Sequence, residues 1–241
     1  MPVPIPSRLG LAALVVANLA VALLTVLRGW GYYETLLVYW LEAVVIGGYN
    51  VLRLLVVGLV GEQPFGAWLS RHVGLSPGAR VLLTLVGTGF FVIQFGGFAL
   101  AVGLWVIGLP SVFAPAGRSA AAHVMAGLRA AGPGVALAVA ALVLSHGFSF
   151  VRNFLVGREY VRRSVPALVF WPYARMSLVM LVLAIGLGLA ALQGGLASAT
   201  TFAIMMVLVK TIADGITHLG ERRSFASQAA RTDVPLRTSA P

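Results

Sequence analysis

The sequence contains no cysteine. Disulfides, thiolate metal sites and cysteine nucleophiles are therefore excluded. Charge is scarce, at 10% of the 241 residues, where a soluble domain carries about 25%. Acidic residues number only seven against 17 Lys and Arg, and there are four His. Familiar catalytic signatures are missing too: no H-E-x-x-H, no G-x-S-x-G, and no Gly-rich phosphate loop ahead of a soluble helix. These deficits exclude an ordinary soluble globular protein, a disordered chain and a nucleic-acid-binding module with a basic face.

What is present is apolar surface. Hydrophobic residues make up 59% of the chain, and the mean hydropathy is +0.95. A spanning helix needs roughly 20 mostly apolar residues. Six segments meet that length: 9–27, 35–58, 81–109, 134–156, 174–193 and 198–219. Period-2 alternation is absent, so the expected fold class is all-α, a six-span helical bundle over residues 1–221. The first apolar run is longer than a signal peptide's core of about 7–15 residues and is expected to be retained as a span. Residues 222–241 are polar and aperiodic, and are expected to form a disordered basic cytoplasmic tail.

Arginine placement sets the expected orientation. With the N-terminus inside, the inner loops and termini hold Arg8, Arg71, Arg80, Arg158, Arg162, Arg163, Arg222, Arg223, Arg231 and Arg237. The outer side holds Arg28, Arg118 and Arg129. Both termini are thus expected in the cytoplasm, and the net charge of +10 is expected to face anionic lipid rather than nucleic acid. The strong Arg, Ala and Gly bias points to a bacterial source, hence the inner membrane. Ser119–Ala131 reads as a short helix on the outer surface, and 157–173 as an interfacial segment.

Ionisable groups inside a span are costly, so they point to function. In the second span Tyr39, Glu42, Ile46, Tyr49 and Arg53 recur at steps of three and four and share one helix face, with Asn50 near it. Span four carries His146, Ser149 and Asn153, with Arg152 adjacent. Span six carries Lys210, Asp214, His218 and Glu221 on one face. Asp214 and His218, one turn apart, can share a divalent metal ion with His146 and Glu42, or form an acid–base pair. They can equally form a structural ladder with Lys210. Arg53, Arg152, Asn153, Arg175 and Lys210 would give the cytoplasmic half of a polar cavity an affinity for an anion or a lipid headgroup. Arg53 has the plainer alternative of snorkelling to the headgroups. Gln94, at mid-depth in span three, would add a neutral partner, and the Gly96-Gly97 pair would permit close helix packing. Gly48-Tyr49-Asn50-Val51-Leu52-Arg53 and Gly147-Phe148-Ser149-Phe150-Val151-Arg152 look like a parallel repeat, or a chance match of apolar helices.

These motifs resemble an uncharacterised prokaryotic multi-pass membrane family, a domain of unknown function. The resemblance rests on Tyr39-Trp40-x-Glu42 with Gly47 and Asn50, and on Ser145-His146-Gly147-x-Ser149-Phe150 with Asn153-Phe154. It extends to Gly157-x-Glu159-Tyr160, Pro172-Tyr173-x-Arg175, and Lys210-Thr211 with Asp214 and His218. It implies an integral membrane fold over nearly the whole chain, and no established activity. The family's third span often carries His where this chain has Gln94-Phe95-Gly96-Gly97-Phe98, and its fifth span carries one where this chain has none. Only His146, Asp214, His218 and Glu42 remain for one ion.

Three functions fit this sequence. One is a metal-dependent membrane enzyme or its degenerate relative, with catalytic residues unknown. The second is a small transporter or channel subunit using Glu42, His146 and Asp214. The third is a non-catalytic membrane scaffold. Lipid is the expected partner, a small-molecule or lipid ligand is compatible with the cavity, and the Gly-rich faces are compatible with an oligomer.

Overall fold

The computed structural model describes residues 27, 32–62, 76–112, 119–161, 163–192, 208–209 and 211–212. The chain divides into two compact units, Tyr32–Gly195 and a second comprising Met1–Gly31 with Leu196–Pro241. The long helices belong to the first. Every regular element among the described residues is helical, as the apolar runs require.

Helix α1 spans Tyr32–Val60, α2 Pro77–Val112, α3 Ala120–Ser149 and α4 Val165–Leu192. Between α3 and α4 the chain continues as a π-helix, Phe150–Val156, and a 3₁₀ turn, Glu159–Val161. Three stretches are long and apolar enough to cross a membrane: Tyr33–Val60, Pro77–Leu109 and Ala120–Val156. They contain the expected segments 35–58, 81–109 and 134–156. Nearly all of the first expected span, 9–27, and of the sixth, 198–219, lies outside the described residues.

The helix starts follow local chemistry. Ser76 caps α2, its hydroxyl accepting the Ala79 N–H at 3.2 Å, and Pro77 takes the first helical position, where no N–H is needed. Ser119 caps α3 in the same way through Ala122 N–H, at 3.2 Å. That cap sits well before residue 134. The stretch expected as a separate surface helix, Ser119–Ala131, is instead the first part of α3, which runs through Pro133 without a break. With the π-helix it forms a 37-residue rod, about 55 Å long and well beyond a hydrocarbon core of about 30 Å. Similarly, α4 starts at Val165, nine residues ahead of the expected 174, with Pro166 in its first turn and Pro172 inside.

Helix α1 is the hub and packs against α2, α3 and α4. Its buried face includes Leu36, Tyr39, Ala43, Ile46, Asn50, Leu54 and Val57, at helical steps. The facing stripe on α2 runs through Thr84, Thr88, Phe91, Phe95, Ala99, Val102 and Val106. Gly47 permits the closest approach: a Cβ there would overlap the Phe95 ring. On α2, Phe91 and Phe95 stack at 5.2 Å, and Tyr173 of α4 meets their edges at 6.2 and 5.5 Å. The remaining surface is also apolar, with Phe90, Ile93, Leu100, Leu104 and Trp105 all more than half exposed. Helices apolar on every side belong in lipid or a large core.

Candidate functional site

Three polar side chains of α1 reach three different helices, each donating to a backbone carbonyl. The Trp40 indole N–H donates to Ala99 O on α2 at 2.8 Å. Tyr49 donates its hydroxyl to Val143 O on α3 at 2.9 Å. Asn50, 3% exposed, donates its amide to Leu168 O on α4 at 2.7 Å. At the foot of α1, the Arg80 guanidinium donates to Gly58 O at 2.8 Å and to Gly61 O.

These carbonyls share a feature written in the sequence. In an α-helix the carbonyl of residue i points at residue i+4, whose N–H it accepts and whose side chain crowds it. Four residues after Ala99 stands Gly103, and four after Val143 stands Gly147. A Cβ at Gly103 would collide with the Trp40 indole, and one at Gly147 would come within 2.6 Å of the Tyr49 hydroxyl. Glycine thus opens a notch in which an aromatic donor reaches a carbonyl that already serves its own helix. Four residues after Leu168 stands Pro172, which has no N–H to offer. Leu168 O would lack its helical partner, and the Asn50 amide replaces it. Gly58 O and Gly61 O belong to the frayed end of α1, where carbonyls have no intrahelical donor, and Arg80 caps them.

Along the α1–α3 seam lie several of the expected site residues. The His146 ring is 6.4 Å from that of Tyr49, and Phe150 is 5.8 Å from Tyr49. The Arg53 guanidinium sits over the Phe154 ring at 5.7 Å. Glu42, His146, Arg53 and Arg175 are all half-buried. Arg152 and Asn153 are exposed: Arg152 covers Phe148 at 5.6 Å, and Asn153 bonds Ser149 Oγ at 3.3 Å. Steps of three and four place Asn153 beside His146 in an α-helix. The chain enters a π-helix at Phe150, and there Asn153 still reaches Ser149, the neighbour that those steps predict. The two similar hexapeptides therefore differ in structure, since the one in α1 is wholly α-helical and the other enters the π-helix at Phe150. Gln94 points outward and is exposed, and at Gly96 and Gly97 an added Cβ would meet nothing within 4 Å. Close packing falls at Gly47, Gly58 and Gly103 instead.

Lys210, Asp214 and His218 lie outside the described residues. Among the described residues, no three His, Asp or Glu come together as a group that could hold a metal ion. The ties to Ala99, Val143 and Leu168, and the Pro172 that frees one of them, were not anticipated from sequence. Their signal is a Gly or Pro four residues after the accepting carbonyl.

The described part is thus an all-helical bundle with three helices long and apolar enough to cross a membrane, drawn together by side-chain donors on α1. The chain belongs to the family of unknown function DUF6498, whose profile matches residues 3–231, nearly its whole length. No curated protein and no solved structure matches it.

Proposed function

We propose that this chain is a multi-pass protein of the bacterial inner membrane with both termini in the cytoplasm, acting as a non-catalytic helical scaffold. One observation carries this reading: Trp40, Tyr49 and Asn50 each donate a hydrogen bond to a backbone carbonyl of a different helix. Between helices in lipid there is no hydrophobic drive to associate, so packing and such bonds hold the bundle. Of the family-like motif around Tyr39 to Asn50, Trp40, Gly47 and Asn50 are thereby accounted for as packing residues.

The metal-dependent reading requires His146 within ligand distance of Asp214 or His218, whereas the transporter reading relies on Glu42, His146 and Asp214 along a polar path through the bundle. Elemental mass spectrometry on the detergent-purified protein, beside a His146→Ala, His218→Ala variant, separates the metal-dependent reading from the scaffold. The scaffold reading expects no stoichiometric metal in either protein, with both folded. Near-stoichiometric metal that is lost in the variant would overturn it.

A further inference from the structure

Helix α2 has one polar side chain where a membrane helix should have none. Gln94 lies next to the midpoint of the 33-residue apolar stretch Pro77–Leu109, roughly 22–26 Å of helix from either end. It is exposed, it makes no hydrogen bond among the described residues, and its neighbours on that flank, Phe90 and Leu104, are 65% and 64% exposed. On the reading that this stretch crosses a bilayer, the amide is too short to reach the headgroups. Hydrocarbon offers it neither donor nor acceptor, and an unsatisfied amide there costs several kcal/mol in order of magnitude.

We propose that this flank of α2 is a homodimer interface, in which two parallel copies pack with their Gln94 amides hydrogen-bonded across the twofold axis. Three features select a second copy. All copies insert with the same orientation, so Gln94 meets Gln94 at matching depth without any further adjustment. A primary amide is both donor and acceptor, hence complementary to itself. The flank also has the seven-residue spacing of two like helices in left-handed contact: Gln94 and Ala101 form one row, and Phe90, Gly97 and Leu104 the other. All five are exposed, and a Cβ at Gly97 would meet nothing within 4 Å. Small residues one and two turns from the amide, Gly97 and Ala101, let two backbones come close enough for it to bond. A single polar residue in such a row fixes the register of the pair.

The absence of cysteine makes the test direct. Single cysteines are placed in the full chain, in native membranes, at Phe90, Gly97, Ala101 and Leu104 on the flank, and at Leu85, Val92 and Gly96 away from it. Mild oxidation should give covalent dimers at the first four and little at the other three. Gln94→Leu, an exposed position where folding is preserved, should weaken association in vesicles roughly threefold to thirtyfold, the range of one interhelical hydrogen bond. Gln94→Asn should retain most of it. Three results would each overturn the proposal: monomers at all seven positions, equal cross-linking on both sides, or an unchanged association constant in Gln94→Leu. Disulfides formed instead between Gly97→Cys and a cysteine placed in residues 9–27 or 198–219 of the same chain would overturn it too. Resistance to alkaline carbonate extraction, measured first, separates failure of the membrane reading from failure of the dimer.

Discussion

At the residue scale, the bundle depends on carbonyls that the sequence leaves open. Gly103 and Gly147 uncover two, and Pro172 strips a third of its partner. The Trp40 tie requires both its donor and its notch. Trp40→Phe should cost about 1 kcal/mol in a micelle or bicelle, near the average for such bonds. Gly103→Val should cost more, about 1–3 kcal/mol, because it expels the whole ring. Equilibrium unfolding in mixed micelles reads both, and equal costs would contradict a notch. Tyr173 offers the converse case. Its ring fills the space beside Phe91, Phe95 and Phe98, yet its buried hydroxyl has no partner among the described residues. Tyr173→Phe should therefore leave stability unchanged or raise it by up to about 1 kcal/mol. A clear loss in the same unfolding assay would mean that the hydroxyl is engaged.

At the element scale, the apolar periodicity located α1 and α2 to within a few residues. It did less well where helical geometry departs from the α form. Gly132-Pro133 reads as a boundary, yet α3 passes through it: Pro133 is exposed, and the carbonyl it frees, at exposed Arg129, can be solvated. The π-helix at Phe150–Val156 has no sequence signature strong enough to announce it. The outward aim of Gln94 was hidden for another reason. A helix apolar on every side gives no contrast from which to tell its inner face. By contrast, the importance of Trp40, Gly47 and Asn50 was legible, although their partners were not, because Ala99, Phe95 and Leu168 are reached only through tertiary packing. The α1–α2 contact is the tightest of the bundle at Gly47. Gly47→Leu should force these helices apart and cost about 3 kcal/mol or more. Loss of monodisperse protein on gel filtration, against a normal Gly48→Leu control with open space around it, would bear this out.

At the scale of the whole molecule, α1 behaves as a post to which three helices are fastened, each by a different side chain. The fasteners matter because lipid gives apolar helices little reason to prefer one another over acyl chains. This explains why a chain so poor in polar residues places Trp40, Tyr49 and Asn50 within three turns of one helix. A cytoplasmic C-terminus makes its own forecast: an alkaline phosphatase fusion after Pro241 should stay inactive, and a fluorescent protein fused there should fold. A periplasmically active phosphatase fusion would reverse the topology.

The central claim is that polar residues of α1 satisfy backbone groups rather than perform chemistry, and the Asn50–Leu168–Pro172 link states it most sharply. A double-mutant cycle of Asn50→Leu and Pro172→Ala, read by unfolding in bicelles, tests it directly. Asn50→Leu should cost about 1–2 kcal/mol in the parent chain. In the Pro172→Ala background the restored N–H serves Leu168 O, so the same change should cost less than half as much. An equal cost in both backgrounds would show that Asn50 does not act through that carbonyl, and would contradict the account.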